Sequence, residues 1–112
     1  MSSSTPSQFV SVTVTEQDGV YTAHYDPALP RISTTTVIQY TLETEGWKFG
    51  EVTLTPPLSA FDSISETQFN ITDDGSDTGT FTFKVILIQT DPHRGQQPEQ
   101  IDTDPEVVNG PA

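Results

Sequence analysis

An alternation of apolar and polar residues with period two is the feature that most constrains the fold of this chain. It is clearest in the run from Thr80 to Ile88, where one face carries Phe81, Phe83, Val85 and Leu87. Successive residues of a β-strand point to opposite faces of a sheet, so the run predicts an extended strand with its apolar face in the core. Ile86 and Ile88 occupy the other face, and we expect the C-terminal strand or a second subunit to cover them.

The same alternation predicts three strands in the first half of the chain. They lie near 10–15, 20–25 and 36–43, and their inward residues are Val10, Val12, Val14, Tyr21, Ala23, Tyr25, Ile38, Tyr40 and Leu42. Gln17-Asp18-Gly19 separates the first two and predicts a short hairpin, because glycine accepts the positive φ that such turns require.

The predicted strand at 47–54 contains a change of phase. Trp47 and Phe49 share one parity, whereas Val52 and Leu54 share the other. One extra residue at Gly50-Glu51 would restore a single apolar face, so the sequence predicts a β-bulge there.

Two later segments have no single interpretation. In 58–65, the apolar residues are spaced for one helical turn, but Ile64 suits the start of a strand equally well. Segment 90–102 is polar and contains prolines, which predicts a long loop without fixing its conformation. Short strands are predicted at Phe69–Ile71 and near 103–109.

These elements define the fold class. The 18 threonines favour strands and turns over helix interiors, and no convincing long helix is present. Seven to eight short strands separated by turns predict an all-β protein, an antiparallel β-sandwich. We expect residues 9–110 to form this single domain, and residues 1–8, which lack apolar periodicity, to be a disordered N-terminal arm.

Charge and composition exclude several classes of function. The chain has 16 acidic residues against four Lys and Arg, a formal net charge of −12, so nucleic-acid binding is disfavoured. No window approaches the roughly 20 apolar residues of a membrane span. There is no cysteine for a disulfide, a thiolate nucleophile or a Cys zinc site. The N-terminus lacks the pattern of a secretory signal, so the expected location is the cytoplasm.

The stretch from Phe69 to Val85 resembles the E-strand, loop and F-strand of immunoglobulin-like domains. The family pattern there is Asp-x-Gly/Ala-x-Tyr-x-Cys, and this chain has Asp77 and Gly79 followed by Phe81 and Phe83 in place of Tyr and Cys. Trp47 lies upstream, where the family places a core tryptophan. The resemblance implies an immunoglobulin-like β-sandwich and no particular chemistry.

A second resemblance covers most of residues 9–110. Tyr25-Asp26-Pro27, the turn and strand at Gly46-Trp47-Lys48-Phe49 and the terminal Asp104-Pro105-Glu106-Val107-Val108-Asn109 look like the small bacterial proteins of the DP-EP family. Members of this family are essentially uncharacterised. The resemblance therefore implies a small acidic β-protein of bacterial origin and transfers no active site.

The acidic loop is the first candidate binding site. Asp73, Asp74 and Asp77 lie close together around Gly75. Calcium is bound by several oxygen ligands, and a flexible acidic loop can supply them, although the EF-hand spacing is not met. A weak calcium site and a solvated turn are both compatible with this pattern.

The two histidines form the second candidate. His24 precedes Asp26 by two residues, and His93 follows Asp91 by two, so each pair shares a face in an extended segment. Convergence of both pairs would assemble ligands for a divalent metal. No spacing ties the pairs together, and the simpler interpretation is two solvated side chains.

No pattern typical of a catalytic site is present, and no cofactor motif is found. The sequence therefore predicts a non-enzymatic structural or protein-interaction module that self-associates or binds an unknown protein through Ile86 and Ile88. The alternative is a ligand-binding module. It would bind calcium at the acidic loop, or a carbohydrate on a platform drawn from Trp47, the tyrosines and the phenylalanines.

Overall fold

The structure is a computed structural model that describes residues 7–55, 58–75, 78–90 and 97–110. In these residues the chain forms strands and no helix. The strands are β1 (Ser7–Gln17), β2 (Val20–Asp26), β3 (Arg31–Ile32), β4 (Thr36–Leu42), β5 (Trp47–Thr53), β6 (Leu58–Ser65), β7 (Gln68–Asp73), β8 (Gly79–Thr82), β9 (Lys84–Gln89), β10 (Gln100–Thr103) and β11 (Glu106–Asn109). The all-β class predicted from the alternation is confirmed. Nor does the described part of the chain contain a helix with the length and apolarity needed to span a membrane.

The strands form three sheets that share one hydrophobic core. The largest has the order β2-β1-β4-β7-β6, and the other two have the orders β10-β9-β5 and β3-β11-β8. The buried core takes residues from all three sheets, and its largest fully buried side chains include Tyr40, Phe69, Ile32 and Leu87. The inward faces that the alternation identified supply most of this core, and Ile32 of the unpredicted strand β3 adds to it.

Local predictions in the first half of the chain are confirmed. β1 and β2 form an antiparallel hairpin in which Gln17 pairs with Val20, and both Asp18 and Gly19 have positive φ. Ile38, Tyr40 and Leu42 are buried along β4, and Tyr21, Ala23 and Tyr25 are the more buried face of β2. β1 begins at Ser7, inside the arm predicted for 1–8; residues 1–6 lie outside the described residues.

The prediction of a wholly antiparallel fold of seven to eight strands is wrong in two respects. Among the described residues there are eleven strands, and two of the eight pairings are parallel, β1 with β4 and β3 with β11. The strands β2 and β3 come between β1 and β4 in sequence and provide the connection that a parallel pair needs. Adjacent antiparallel strands need only a short turn, whereas parallel ones require such a crossing connection.

The predicted strand from Thr80 to Ile88 is divided in two. β8 pairs with β11 and β9 pairs with β10, and the division falls at Phe83. The partner strand predicted near 103–109 is divided as well, between Thr103 and Glu106. Pro105 has no amide proton to continue a ladder, and its carbonyl accepts a hydrogen bond from the Phe83 amide at 3.1 Å. The proline therefore divides both strands at the same level.

The predicted bulge in β5 is confirmed. Phe49 pairs with Leu87 and Val52 pairs with Val85, so Gly50 and Glu51 together face one residue of β9. A Cβ atom on Gly50 would lie 2.7 Å from Cδ1 of Ile88 and 3.2 Å from the carbonyl oxygen of Ile86. Only glycine fits this bulge without displacing Ile88.

The segment 58–65, left open between a helical turn and a strand, is the edge strand β6. Its pairing with β7 shifts twice, between Ser59 and Asp62 and between Ser63 and Ser65. Ala60 lies in the first shift with φ of +55°, a left-handed conformation that is unusual for a residue with a side chain. After Leu58, every residue of this strand is exposed. The strand is thus irregular and faces solvent along most of its length.

Candidate functional site

The residues of the predicted immunoglobulin-like motif lie mostly in the core. Trp47 and Phe83 are buried, Phe81 is half-buried, and Gly79 begins β8 with positive φ. The Trp47 ring meets the edge of Tyr21 with centroids 5.2 Å apart, and Phe83 meets Tyr40 at 5.5 Å. These contacts are structural. Asp77, the remaining motif residue, lies outside the described residues.

Asp73 and Asp74, two residues of the predicted calcium loop, lie in different environments. Asp73 is fully buried at the end of β7, where its Oδ1 accepts hydrogen bonds from the Gly75 amide and from Nδ2 of Asn109, both at 2.9 Å. Asp74 is exposed, and its carbonyl oxygen accepts a 3.2 Å hydrogen bond from the Thr35 hydroxyl. Calcium binding at Asp73, Asp74 and Asp77 stays a prediction, because Asp77 is not among the described residues.

The histidine pairs do not give a described metal centre. His24 is exposed on β2, and its Nε2 lies 2.9 Å from the Thr15 hydroxyl. His93 and Asp91 lie outside the described residues. Within the described ranges, no three His, Cys, Asp or Glu residues are grouped so that they could hold a metal ion.

Ile86 and Ile88 lie on the outward face of the β10-β9-β5 sheet and are half-buried. The C-terminal strand β10 pairs beside β9 in the same sheet, with Gln100 opposite Ile88 and Asp102 opposite Ile86. It therefore does not lie over them. On the other side of β9, Lys48 is opposite Ile88. We call this outward surface the isoleucine face; its rim consists of Lys48, Glu51, Thr53, Lys84, Gln100 and Asp102.

A pocket of about 290 Å³ opens where the edge strands β5 and β6 approach each other. Lys48, Phe49 and Gly50 come from β5, and Phe61, Ser63, Ser65 and Glu66 come from β6 and the turn after it. Phe69 of β7 and Ile88 of β9 complete the lining. Two sheets thus contribute to one concave site, which is the usual form of a ligand pocket.

Aromatic rings form one side of this pocket. The Phe61 ring is 44% exposed and tilted against Phe69, with centroids 5.5 Å apart. Phe49 meets the same Phe69 ring edge-on at 4.7 Å. A buried ring therefore supports an exposed one, and the exposed one is available to a ligand.

Backbone hydrogen bonds fix the end of the pocket. The Phe49 amide donates to the carbonyl oxygen of Glu66 at 2.8 Å and joins the two edge strands. The Leu42 amide donates to the Thr67 carbonyl oxygen at 2.8 Å and anchors the same turn. The distance between β5 and the end of β6 is thereby set by the backbone rather than by side chains.

Sequence reasoning missed this pocket. Phe61 is one of the phenylalanines of the predicted carbohydrate platform and contributes to the apolar spacing of 58–65, but nothing in the sequence brings it together with Ser63, Ser65 and Glu66. The bulge at Gly50 was predicted, but its position beside β6 depends on tertiary structure. An irregular apolar spacing flanked by serines in 58–65 was the available hint.

No model of a known protein family matches this chain, and no significant match is found among curated proteins. The resemblance to the DP-EP family stays a prediction.

Proposed function

We propose that this protein is a non-enzymatic interaction module with an immunoglobulin-like sandwich fold, and that it pairs with a second copy of itself through the isoleucine face. The observation that carries this proposal is the pair of half-buried isoleucines surrounded by a rim of balanced charge, in a chain whose net charge is −12. The calcium-binding alternative has no comparable support in the described residues.

Strand order supports the immunoglobulin-like assignment. Constant-type immunoglobulin domains have one sheet with the order A-B-E-D and another with C, F and G. The order β1-β4-β7-β6 corresponds to the first, and β5-β9-β10 corresponds to the second. The departures are the extra edge strand β2, the parallel pairing of β1 with β4 and the separate third sheet β3-β11-β8. A core tryptophan at the start of β5 agrees with the assignment.

Charge supports pairing through the isoleucine face. Its rim carries two of the chain's four Lys and Arg residues, Lys48 and Lys84, together with Glu51 and Asp102. Two positive and two negative side chains make the rim neutral. Two copies of a strongly acidic protein repel each other least when they meet through a neutral surface.

The composition of the face also suits a symmetric contact. A twofold interface is formed by the same surface on both partners and must be complementary to itself. Apolar residues at the centre can meet their counterparts, and rim lysines can meet rim carboxylates. An apolar centre with a polar rim is the usual anatomy of protein interfaces.

The proposal is tested by sedimentation equilibrium over a range of protein concentrations. We expect the mass to rise toward that of a dimer, and Lys84→Glu to weaken dimerisation about tenfold or more by unbalancing the rim. Ile86→Ser should act in the same direction by removing apolar area. Val20→Ser is the control, because Val20 is an exposed apolar residue on β2, far in sequence and on another sheet.

A mass that remains monomeric up to concentrations on the order of 1 mM would rule out self-pairing. If Lys84→Glu and Val20→Ser weaken the dimer equally, the dimer interface does not lie on the isoleucine face. Circular dichroism melts of each variant confirm that the fold is retained.

A further inference from the structure

We propose that the pocket between β5 and β6 binds a neutral pyranose sugar, as a monosaccharide or as the terminal residue of a glycan, with the sugar stacked on the Phe61 ring. The pocket adjoins the isoleucine face and shares Lys48 and Ile88 with it, but the sugar contact on Phe61 does not depend on the dimerisation proposed above. Three features of the pocket carry the proposal.

The first feature is backbone irregularity confined to the two strands that form the pocket. Every register shift between paired strands in the described residues falls in β5 or β6. One is at Gly50-Glu51, one is at Ala60-Phe61, and one is at Ile64. Bulges redirect side chains and are frequent beside binding sites. Here each shift lies next to a residue that lines the pocket.

The second feature is strain directly before the exposed ring. Ala60, with φ of +55°, precedes Phe61 in the bulge. A left-handed conformation is strained for a residue with a Cβ atom and persists where the surrounding structure requires it. This conformation positions Phe61 over Phe69, where 44% of its surface remains exposed.

The third feature is the mixture of groups around the ring. Ser63, Ser65, Lys48 and Glu66 line the same pocket, and these residue types carry hydroxyl, ammonium and carboxylate groups. A pyranose has a face of C–H groups that packs on an aromatic ring, and hydroxyls at its rim that both donate and accept hydrogen bonds. The apolar and polar groups of the pocket match these two parts of the sugar.

The size of the pocket and the charge of the protein restrict the class of ligand further. A pocket of about 290 Å³ lies at the lower end of the roughly 300–1,000 Å³ range of ligand clefts, which suits one ring rather than an extended chain. Lys48 and Glu66 balance each other locally, and the net charge of −12 repels anions. A neutral sugar is therefore favoured over a phosphorylated or acidic one.

The proposal is tested by two-dimensional amide NMR of the full chain, titrated with a panel of neutral hexoses and N-acetylhexosamines. We expect at least one sugar to give saturable shifts confined to the pocket, that is to β5, β6, the turn after β6 and the neighbourhood of Phe69 and Ile88. The expected Kd is in the millimolar range that is usual for a small open site. Phe61→Ala should weaken that binding about tenfold or more. Phe9→Ala is the matched control, since it removes an exposed phenylalanine from β1.

The absence of saturable shifts with every sugar in the panel would overturn the proposal, and so would equal affinity in Phe61→Ala and the parent. A higher affinity for glucose 6-phosphate than for glucose would overturn the proposed preference for a neutral sugar. Lys84→Glu and Ile86→Ser, which disrupt only the proposed dimer, should retain sugar binding, so the two proposals can fail separately.

Discussion

At the scale of single residues, the hydroxyls of the two buried tyrosines differ in their hydrogen bonding. Tyr40 stacks on Phe69 with centroids 5.0 Å apart, and its hydroxyl has no hydrogen-bond partner among the described residues. The Tyr25 hydroxyl lies 2.7 Å from the hydroxyl of Thr103. Thr103 donates its own proton to the Val85 carbonyl at 2.8 Å, so Tyr25 is the donor to Thr103.

Both tyrosines resist ionisation. Burial raises the pKa of Tyr25 to about 12; the hydrogen bond with Thr103 opposes this shift, and the nearby Asp104 carboxylate adds to it. Burial also raises the pKa of Tyr40 far above its ordinary value, with smaller contributions from Tyr25 and Asp73. An unfolded tyrosine titrates near pH ~10. The unfolded chain therefore loses these protons before the folded chain does.

We expect stability to decline in alkaline solution for this reason. Below about pH 10 both states retain the tyrosine protons and the stabilisation is complete; above it, the free energy of unfolding falls as pH rises toward about 12. Urea unfolding at stepped pH measures the decline.

Tyr40→Phe is the informative variant for this prediction. It retains the ring contacts and removes one late-titrating hydroxyl that has no described partner. At neutral pH the variant should be at least as stable as the parent, because an unpartnered buried hydroxyl costs about 1–3 kcal/mol. Its alkaline decline should be shallower. An identical decline in the two proteins would contradict the assignment to Tyr40.

At the scale of elements, one buried side-chain contact joins the largest sheet to the β3-β11-β8 sheet. Asn109 of β11 donates to Asp73 of β7, and both residues are almost completely buried. The same Asp73 oxygen accepts the amide of Gly75 and shapes the turn after β7. The alternation along β7 places Asp73 on the inward face with Phe69 and Ile71, and Asn109 and Gly75 donate to its Oδ1 there.

Asn109→Ala should lower the free energy of unfolding by roughly 1–3 kcal/mol, because it leaves a buried acceptor without one of its donors. Chemical denaturation measures the change. Asn70→Ala is the matched control and should cost less, since Oδ1 of Asn70 is buried without a hydrogen-bond partner among the described residues. Equal losses in the two variants would mean that the contact with Asp73 contributes little.

At the scale of the whole molecule, the net charge of −12 opposes the compact state. Sixteen acidic residues against four Lys and Arg give repulsion that no local pairing can fully cancel. The screening length falls from about 30 Å at 0.01 M salt to about 3 Å at 1 M. Sodium chloride should therefore stabilise the fold by weakening this repulsion.

We expect the melting temperature to rise by several degrees between low and high sodium chloride. The control variant replaces the exposed Glu43 and Glu45 with Gln. Its melting temperature should rise less with salt, because its net charge is less negative. Coincident melts of the parent at the two salt concentrations would show that the repulsion is compensated locally.

The features that the sequence determined by itself are those set by neighbouring residues. Alternation decided which residues face inward along β1, β2 and β4, since side chains two apart share a face of any strand. Asp18-Gly19 determined the hairpin because few residues accept its backbone conformation. The phase change between Phe49 and Val52 determined the β5 bulge.

Tertiary structure decided what depends on partners distant along the chain. The alternation from Thr80 to Ile88 predicts one strand. In the structure it is divided at Phe83, whose amide donates a hydrogen bond to the carbonyl of the distant Pro105. The acidic run predicts Asp73 to be a loop carboxylate, but it is the last residue of β7, shares the buried face with Ile71 and accepts a hydrogen bond from the distant Asn109. The pocket exists because β5 and β6 meet at the edges of two different sheets, and no local pattern encodes which edges meet, since that choice is made by the packing of the whole core.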